Sequence, residues 1–244
     1  MSFGSRRFRW LLGMVMLTGG PLYAQTGPVS SNAAPEEVLS MANSAPAAPR
    51  IAIQAGHWRA AEAPAELADL RSNGTNWQGI HEWQVTLEIA TRAANQLREL
   101  GYEVEVLPAT VPPRYRADLF IAIHADGFTD SSANGFAVGA PRNDATGRAA
   151  QFAEELARAY REATGLRMRE ATRRMRGYYA FNSRRYQHAI DPRTVGVIIE
   201  TGFLTSPVDR QVILDAPDRS ARGIVEAVTR FIPAPSPNGM ANAN

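Results

Sequence analysis

Cysteine is absent from the 244 residues, and so is lysine: all 26 basic side chains are arginine. Without cysteine there can be no disulfide and no thiolate ligand, so any metal would have to be held by His, Asp or Glu. Without lysine, arginine is the permanent cation, but 24 acidic residues bring the formal net charge to only +2. Arginine usage of that kind reads as composition and does not by itself argue for a nucleic-acid partner. Such a partner would require binding that falls steeply with salt, and no aromatic spacing supports it. Long hydrophobic runs are missing as well. The apolar stretch at residues 10–17 is too short for a membrane span of about 20 residues.

That stretch follows Arg6, Arg7 and Arg9 and is broken by Gly19, Gly20 and Pro21. This is the pattern of a secretory signal, residues 1–24, with cleavage expected near Ala24 and Gln25; an uncleaved N-terminal anchor is the alternative. The expected location is therefore secreted, periplasmic or cell-envelope. Residues 25–49 are rich in Ala, Pro, Ser and Asn and read as a disordered linker, and residues 233–244 as a disordered tail. Between them, residues 50–232 are of a size for one domain with one core. Nothing in the composition sets an oligomeric state.

Within that domain three apolar runs stop on a potential metal ligand. Residues 50–55 (RIAIQA) lead into Gly56-His57-Trp58, residues 118–127 (DLFIAIHADG) contain His124, and residues 194–199 (TVGVII) end on Glu200. A buried carboxylate is costly unless paired or near a metal, so packing alone does not explain Glu200. A helix opens at His81-Glu82-Trp83, with Val85, Ile89, Ala93 and Leu97 at helical spacing and Gly101 as its stop. Further elements are expected as a strand at 102–107, a strand at 135–139, a helix at 145–164 stopped by Gly165, a helical turn from Ser206-Pro207, and a helix at 221–232. Residues 59–80 read as a long polar loop, the kind that is functional or mobile.

Strands alternating with helices predict an α/β domain: a mainly parallel twisted sheet with helices on both faces, in a phosphorylase/hydrolase-like arrangement. His57, His124 and Glu200 would then project at one sheet edge, beyond the carboxyl ends of the strands, with Glu82 beside them at a helix N-terminus. Two imidazoles and one carboxylate make the ligand set of a catalytic zinc with an open position. The remaining glutamate can take a proton from water and pass it to a leaving amine.

The same residues carry a family resemblance. Ala55-Gly56-His57, the glutamate of His81-Glu82-Trp83, the block from Ile121 to Asp126 (IAIHAD), and the block from Ile198 to Thr205 (IIETGFLT) resemble, in order, the signature blocks of zinc-dependent N-acetylmuramoyl-L-alanine amidases. The resemblance spans nearly all of residues 50–232. It implies Zn2+ bound by His57, Glu82 and His124, and Glu200 as the catalytic carboxylate. The implied reaction hydrolyses the amide between N-acetylmuramic acid and L-alanine, so peptidoglycan stem peptide and glycan would be the partners. In the arginine-rich segment 166–193, Arg176 and its neighbours Arg167, Arg169, Arg173, Arg174, Arg184 and Arg185 could pair with stem-peptide carboxylates. Tyr179, Asn182 and His188 lie nearer the last strand and are further substrate-binding candidates.

Three features depart from the family pattern. Gln54-Ala55-Gly56-His57-Trp58 stands where Asp-Pro-Gly-His-Gly is usual, the interval from His57 to Glu82 is long, and the segment 107–118 is short and without a helix. The stretch between Asp126 and Ala149 has no room for an autoinhibitory helix, so an unobstructed site is expected. Two other readings keep the same residues: a zinc peptidase or amidase acting on another peptide or acylated amine, and a non-catalytic cell-wall-binding relative.

Overall fold

The structure is a computed structural model that describes residues 47–72 and 74–234. The expected signal, most of the linker and most of the tail lie outside the described residues. Among the described residues, seven strands and five α-helices follow in order: β1 (Arg50–Ala55), β2 (Asn76–Trp77), β3 (Ile80–His81), α1 (Glu82–Glu99), β4 (Glu103–Leu107), β5 (Leu119–Asp126), β6 (Ala137–Gly139), α2 (Ala149–Thr164), α3 (Arg173–Arg176), β7 (Val195–Phe203), α4 (Pro207–Ile213) and α5 (Pro217–Phe231). Five strands form one sheet in the order β4-β1-β5-β7-β6, and β2 pairs with β3 as a separate hairpin. β4, β1, β5 and β7 are parallel, and the edge strand β6 runs antiparallel to β7.

The apolar runs of β1, β5 and β7 are nearly continuous because both faces of the sheet are covered. Odd-numbered residues, among them Ile51, Ile53, Ile121, Ile123, Val197 and Ile199, pack in one core with α1, α2 and α5. Even-numbered residues, Ala52, Phe120, Ala122 and Ile198, pack in a second core with Leu67, Val111, Tyr115, Met175 and Tyr179. Coverage of the two faces is thus unequal. The first carries three long helices. The second is covered by loops, the four-residue α3 and 3-10 turns at Ala60–Glu62, Ala65–Ser72 and Tyr179–Phe181.

Several boundaries differ from the expectation. Residues 145–148 form a turn rather than the first turn of α2, because Asp144 takes the amide of Ala149 at 2.7 Å and both polar groups of Thr146. α5 begins at Pro217, where a proline fits the first helical position. β7 runs on past Glu200 to Phe203. The stops are as read: Gly101 (φ 90°) and Gly165 (φ 72°) adopt the left-handed conformation after α1 and α2. Between Asp126 and α2 the chain carries only β6 and turns. No helix among the described residues is long and apolar enough to cross a membrane.

Candidate metal centre

His57 follows β1 directly, in a left-handed backbone conformation (φ 61°) that costs a non-glycine residue about 1–3 kcal/mol. Glu82 is the first residue of α1, whose start is fixed by a reciprocal cap. The His81 side chain receives the amide of Gln84, and the Gln84 side chain receives the amide of His81 at 2.8 Å. His124 lies near the end of β5, directly across from Glu200 on β7, and the strand register slips just beyond this pair, between His124 and Asp126. A bulge at a sheet edge re-aims side chains, and here it lies beside the site.

One ligand atom from each of His57, Glu82 and His124 falls within 4.8 Å of the others. Glu82 Oε1 is 3.0 Å from His124 Nδ1 and 3.4 Å from His57 Nε2, and the two rings stand edge to face, centroids 5.0 Å apart. The carboxylate is held from behind: Thr75 N donates to Oε2 at 2.8 Å and Ala125 N to Oε1 at 3.1 Å. Gly56 makes room for this packing, since a Cβ there would lie 2.6 Å from His124 Cε1 and from the Ile123 carbonyl. Two imidazoles and a buried, anchored carboxylate converging on one point fit a divalent cation.

The two carboxylates differ in their surroundings. Burial alone would push Glu82 up, but the His124 hydrogen bond, the charges of both histidines and the Thr75 amide outweigh it and hold Glu82 below the usual range. Burial likewise works against a charged His124, and Glu82 and Glu200 outweigh it, so that its pKa is raised. Glu200 receives no such support. Burial, aided by the charges of Glu82 and Asp126, pushes it up to about 8, against the opposing influence of His124 and Arg169. Its Oε2 is sealed from solvent with no hydrogen-bond partner among the described residues.

These residues open on a cavity of 650 Å³. Asp69, Leu70, Gly74 and Thr75 of the long loop form one wall, and Arg174, Met175, Tyr178 and Tyr179 another. The loop read as polar and irregular is therefore built. Ala60 and Leu67 anchor it, the β2–β3 hairpin turns through Gln78 (φ 50°) and Gly79 (φ 87°), and Arg210 stacks 3.6 Å over Trp77.

The substrate-side candidates are dispersed. Tyr179 touches the cavity but is buried, its hydroxyl engaged by Gln54, Val111 and Ala109. Arg176 and Asn182 line a neighbouring cavity of 530 Å³, and Gly177 and Tyr178 border both. His188 Nδ1 lies 2.6 Å from Glu66 Oε1, joining the arginine-rich segment to the long loop. Two residues at the site had not been singled out as candidates. Tyr178 places its hydroxyl 3.2 Å from His124 Nε2 and 2.8 Å from Gln54 Oε1. Gln54 carries a signal in the sequence, a polar residue inside the apolar run of β1 and in phase with its loop-covered face.

An α/β domain with His, Glu and His gathered at the carboxyl edge of a parallel sheet is a protein with a metal-binding centre. The family model for N-acetylmuramoyl-L-alanine amidase matches residues 51–230, and the chain belongs to that family. It is 38% identical over 89 residues to the N-acetylmuramoyl-L-alanine amidase AmiC of Neisseria meningitidis serogroup B, a match covering 32% of this chain and 21% of that relative's length. Among solved structures it is similar to the N-acetylmuramyl-L-alanine amidase Ami1 of Mycobacterium abscessus, with a TM-score of 0.55 and 17% identity over 76% of this chain and 99% of that one. It is also similar to Ami1 of Mycobacterium smegmatis, with a TM-score of 0.54 and 18% identity over 78% of this chain and 98% of that one. These structural likenesses establish the α/β fold.

Proposed function

We propose that the protein is a zinc-dependent N-acetylmuramoyl-L-alanine amidase that acts outside the cytoplasm on peptidoglycan. The observation that carries this reading is the convergence of His57, Glu82 and His124, in a chain of this family, on a point beside Glu200, a second carboxylate whose Oε2 has no hydrogen-bond partner among the described residues. His57, Glu82 and His124 would hold the ion. When bound, zinc supplies Lewis acidity that polarises an amide carbonyl and acidifies water.

The chain's own residues handle the protons. In its ionised form, which a cation held by His57, Glu82 and His124 would favour, Glu200 takes a proton from the attacking water as the water oxygen bonds to the lactyl carbonyl carbon. It returns that proton to the alanine nitrogen as the C–N bond breaks, leaving a carboxylate on the glycan and a free amine on the peptide. Arg174, at the cavity wall, is suited to a stem-peptide carboxylate, and Arg176 and Asn182 to the substrate's extension into the adjoining cavity. The arginine-led apolar segment at the N-terminus supports export.

The test is digestion of purified peptidoglycan by the purified protein, with and without chelator, beside Glu200→Gln. Mass spectrometry should find stem peptides with a free N-terminal alanine, released by the wild type alone and only with metal present. Zinc uptake without such peptides would sink the substrate assignment in favour of another acylated amine. Absence of zinc uptake would sink the metal centre.

A further inference from the structure

The hydroxyl of Tyr178 sits between the amide of Gln54 and the imidazole of His124, and the direction of each hydrogen bond follows from a backbone carbonyl that can only accept. That carbonyl is Ala109. Gln54 Nε2 lies 2.8 Å from it and must donate. The same nitrogen lies 2.8 Å from the Tyr179 hydroxyl, which receives the amide of Val111 at 3.2 Å and gives its own proton to Ala109. Both partners of Nε2 are thus acceptors towards it, and the Gln54 amide is locked in one orientation. Its oxygen faces Tyr178 at 2.8 Å and takes the phenolic proton. With that proton committed, Tyr178 can only accept from His124 Nε2, 3.2 Å away. Nε2 therefore carries the ring proton, and Nδ1 turns a lone pair towards Glu82 Oε1 at 3.0 Å. In the neutral ring two lone pairs then face each other at that separation, and either a proton or a metal ion must lie between them.

We propose that Gln54, Tyr178 and Tyr179 form a directional hydrogen-bond relay that holds His124 in its Nε2–H tautomer, making Gln54 and Tyr178 positioning residues for metal capture through Nδ1. This rests on the reading of His57, Glu82 and His124 as a metal centre. It also gives a role to a departure visible in the sequence. An aspartate at position 54 could only accept, and could not donate to the Ala109 carbonyl. Here a fully buried glutamine sets the polarity from the interior outwards. Ligating histidines are generally oriented by a partner on the other ring nitrogen, and loss of that partner weakens metal binding about 10- to 100-fold.

The experiment uses the full chain, with zinc as the probe. Long-range 15N–1H imidazole correlations, assignable because the chain has four histidines, report the His124 tautomer in the zinc-loaded wild type. Competition against a chelator reports the zinc Kd of the wild type, Tyr178→Phe and, as a control, Tyr186→Phe, which removes a hydroxyl from the ring packed on Tyr179 at 6.2 Å. The expected result is a proton on Nε2 in the wild type, a Kd roughly 10- to 100-fold weaker in Tyr178→Phe, and an unchanged Kd in Tyr186→Phe. A proton on Nδ1 in the wild type overturns the relay even if Tyr178→Phe fails to fold. Equal affinity of Tyr178→Phe and wild type overturns it too. A wild type that takes up no zinc overturns the metal centre itself, and the wild-type titration separates that failure from failure of the relay alone.

Discussion

The helix-covered face of the sheet is apolar along β1, β5 and, as far as Ile199, β7, whereas on the loop-covered face the same strands interrupt their apolar runs with Gln54, His124 and Glu200. Strand periodicity of two lets one segment serve both purposes. Odd residues bind α1, α2 and α5 to the sheet, and even residues deliver polar groups to its carboxyl edge. The helical face needs no ligand to be complete. The loop-covered face is tied by individual polar bonds, such as Thr75 to Glu82 and His188 to Glu66, around the carboxylate–imidazole cluster of His57, Glu82 and His124. Stability and chemistry are thus drawn from opposite sides of the same three strands.

Removing the metal should divide the two faces most sharply. At free zinc of about 100 times Kd, binding contributes about 2.7 kcal/mol. In hydrogen exchange, chelation should therefore speed opening of residues 57–82 and 171–190 by roughly 100-fold. The amides of Thr75 and Ala125, which donate to Glu82, are direct reporters. Amides of α2 and α5 that exchange by local opening should not respond. A uniform change over both faces would mean that they are one cooperative unit and that the contrast is only one of appearance.

Two glycines then offer matched insults. A Cβ on Gly56 would meet the Ile123 carbonyl and the His124 ring at 2.6 Å, and a Cβ on Gly223 would meet the Tyr160 Cα at 2.8 Å, where α5 crosses α2. Both positions press on backbone, so neither clash is relieved by a rotamer change. Gly56→Ala should weaken zinc binding on the order of 100-fold by displacing a ligand ring, at the upper end of what loss of ligand orientation costs. Gly223→Ala should leave zinc affinity alone and cost about 1–3 kcal/mol by overpacking, lowering Tm by roughly 3–10 °C in a calorimetric scan. Reversal of these outcomes, with Gly223→Ala losing zinc, would break the division of labour.

The helical face was legible in the sequence because its signals are periodic or positional. Val85, Ile89, Ala93 and Leu97 mark one stripe, and Gly101 and Gly165 mark stops that only a left-handed residue makes well. His124 and Glu200 were legible for the complementary reason, that each interrupts an apolar run. The loop-covered face gave weaker signals. Turns of 3-10 helix such as Ala65–Ser72 are too short to show a period, and Leu67 inside it is not helical (φ −121°). The β2–β3 hairpin has two-residue strands and a Gln78-Gly79 turn, without the Asn-Gly or Asp-Gly that usually marks such a bend. Between Tyr178 and Tyr179 the sequence offers no distinction at all. Which hydroxyl reaches the imidazole and which is locked behind Gln54 depends on the packing of Tyr179–Phe181, a tertiary fact.

The smallest effect is expected at the seam between the two regions. Asp144 caps the start of α2 on the helical face and also lines the 530 Å³ cavity that adjoins the metal site and is bordered by Tyr178. Burial disfavours its charge, but the Thr146 hydroxyl and the amides of Ala149, Thr146 and Arg148 outweigh that and hold its pKa below the usual aspartate range. A depressed carboxylate stabilises the fold above its unfolded pKa, and that contribution is lost as the pH falls through the folded value. Asp144→Ala should therefore cost about 1 kcal/mol at neutral pH through the lost cap, a fall of roughly 2–4 °C in Tm. The gap from wild type should narrow only in acid below the usual aspartate range, as the wild-type carboxylate protonates. If Asp144 belongs to the helical face, the zinc Kd of the variant equals that of the wild type. A shift in Kd would show that the cap reaches the metal through Tyr178, and the boundary between the two faces would have to be moved to include α2.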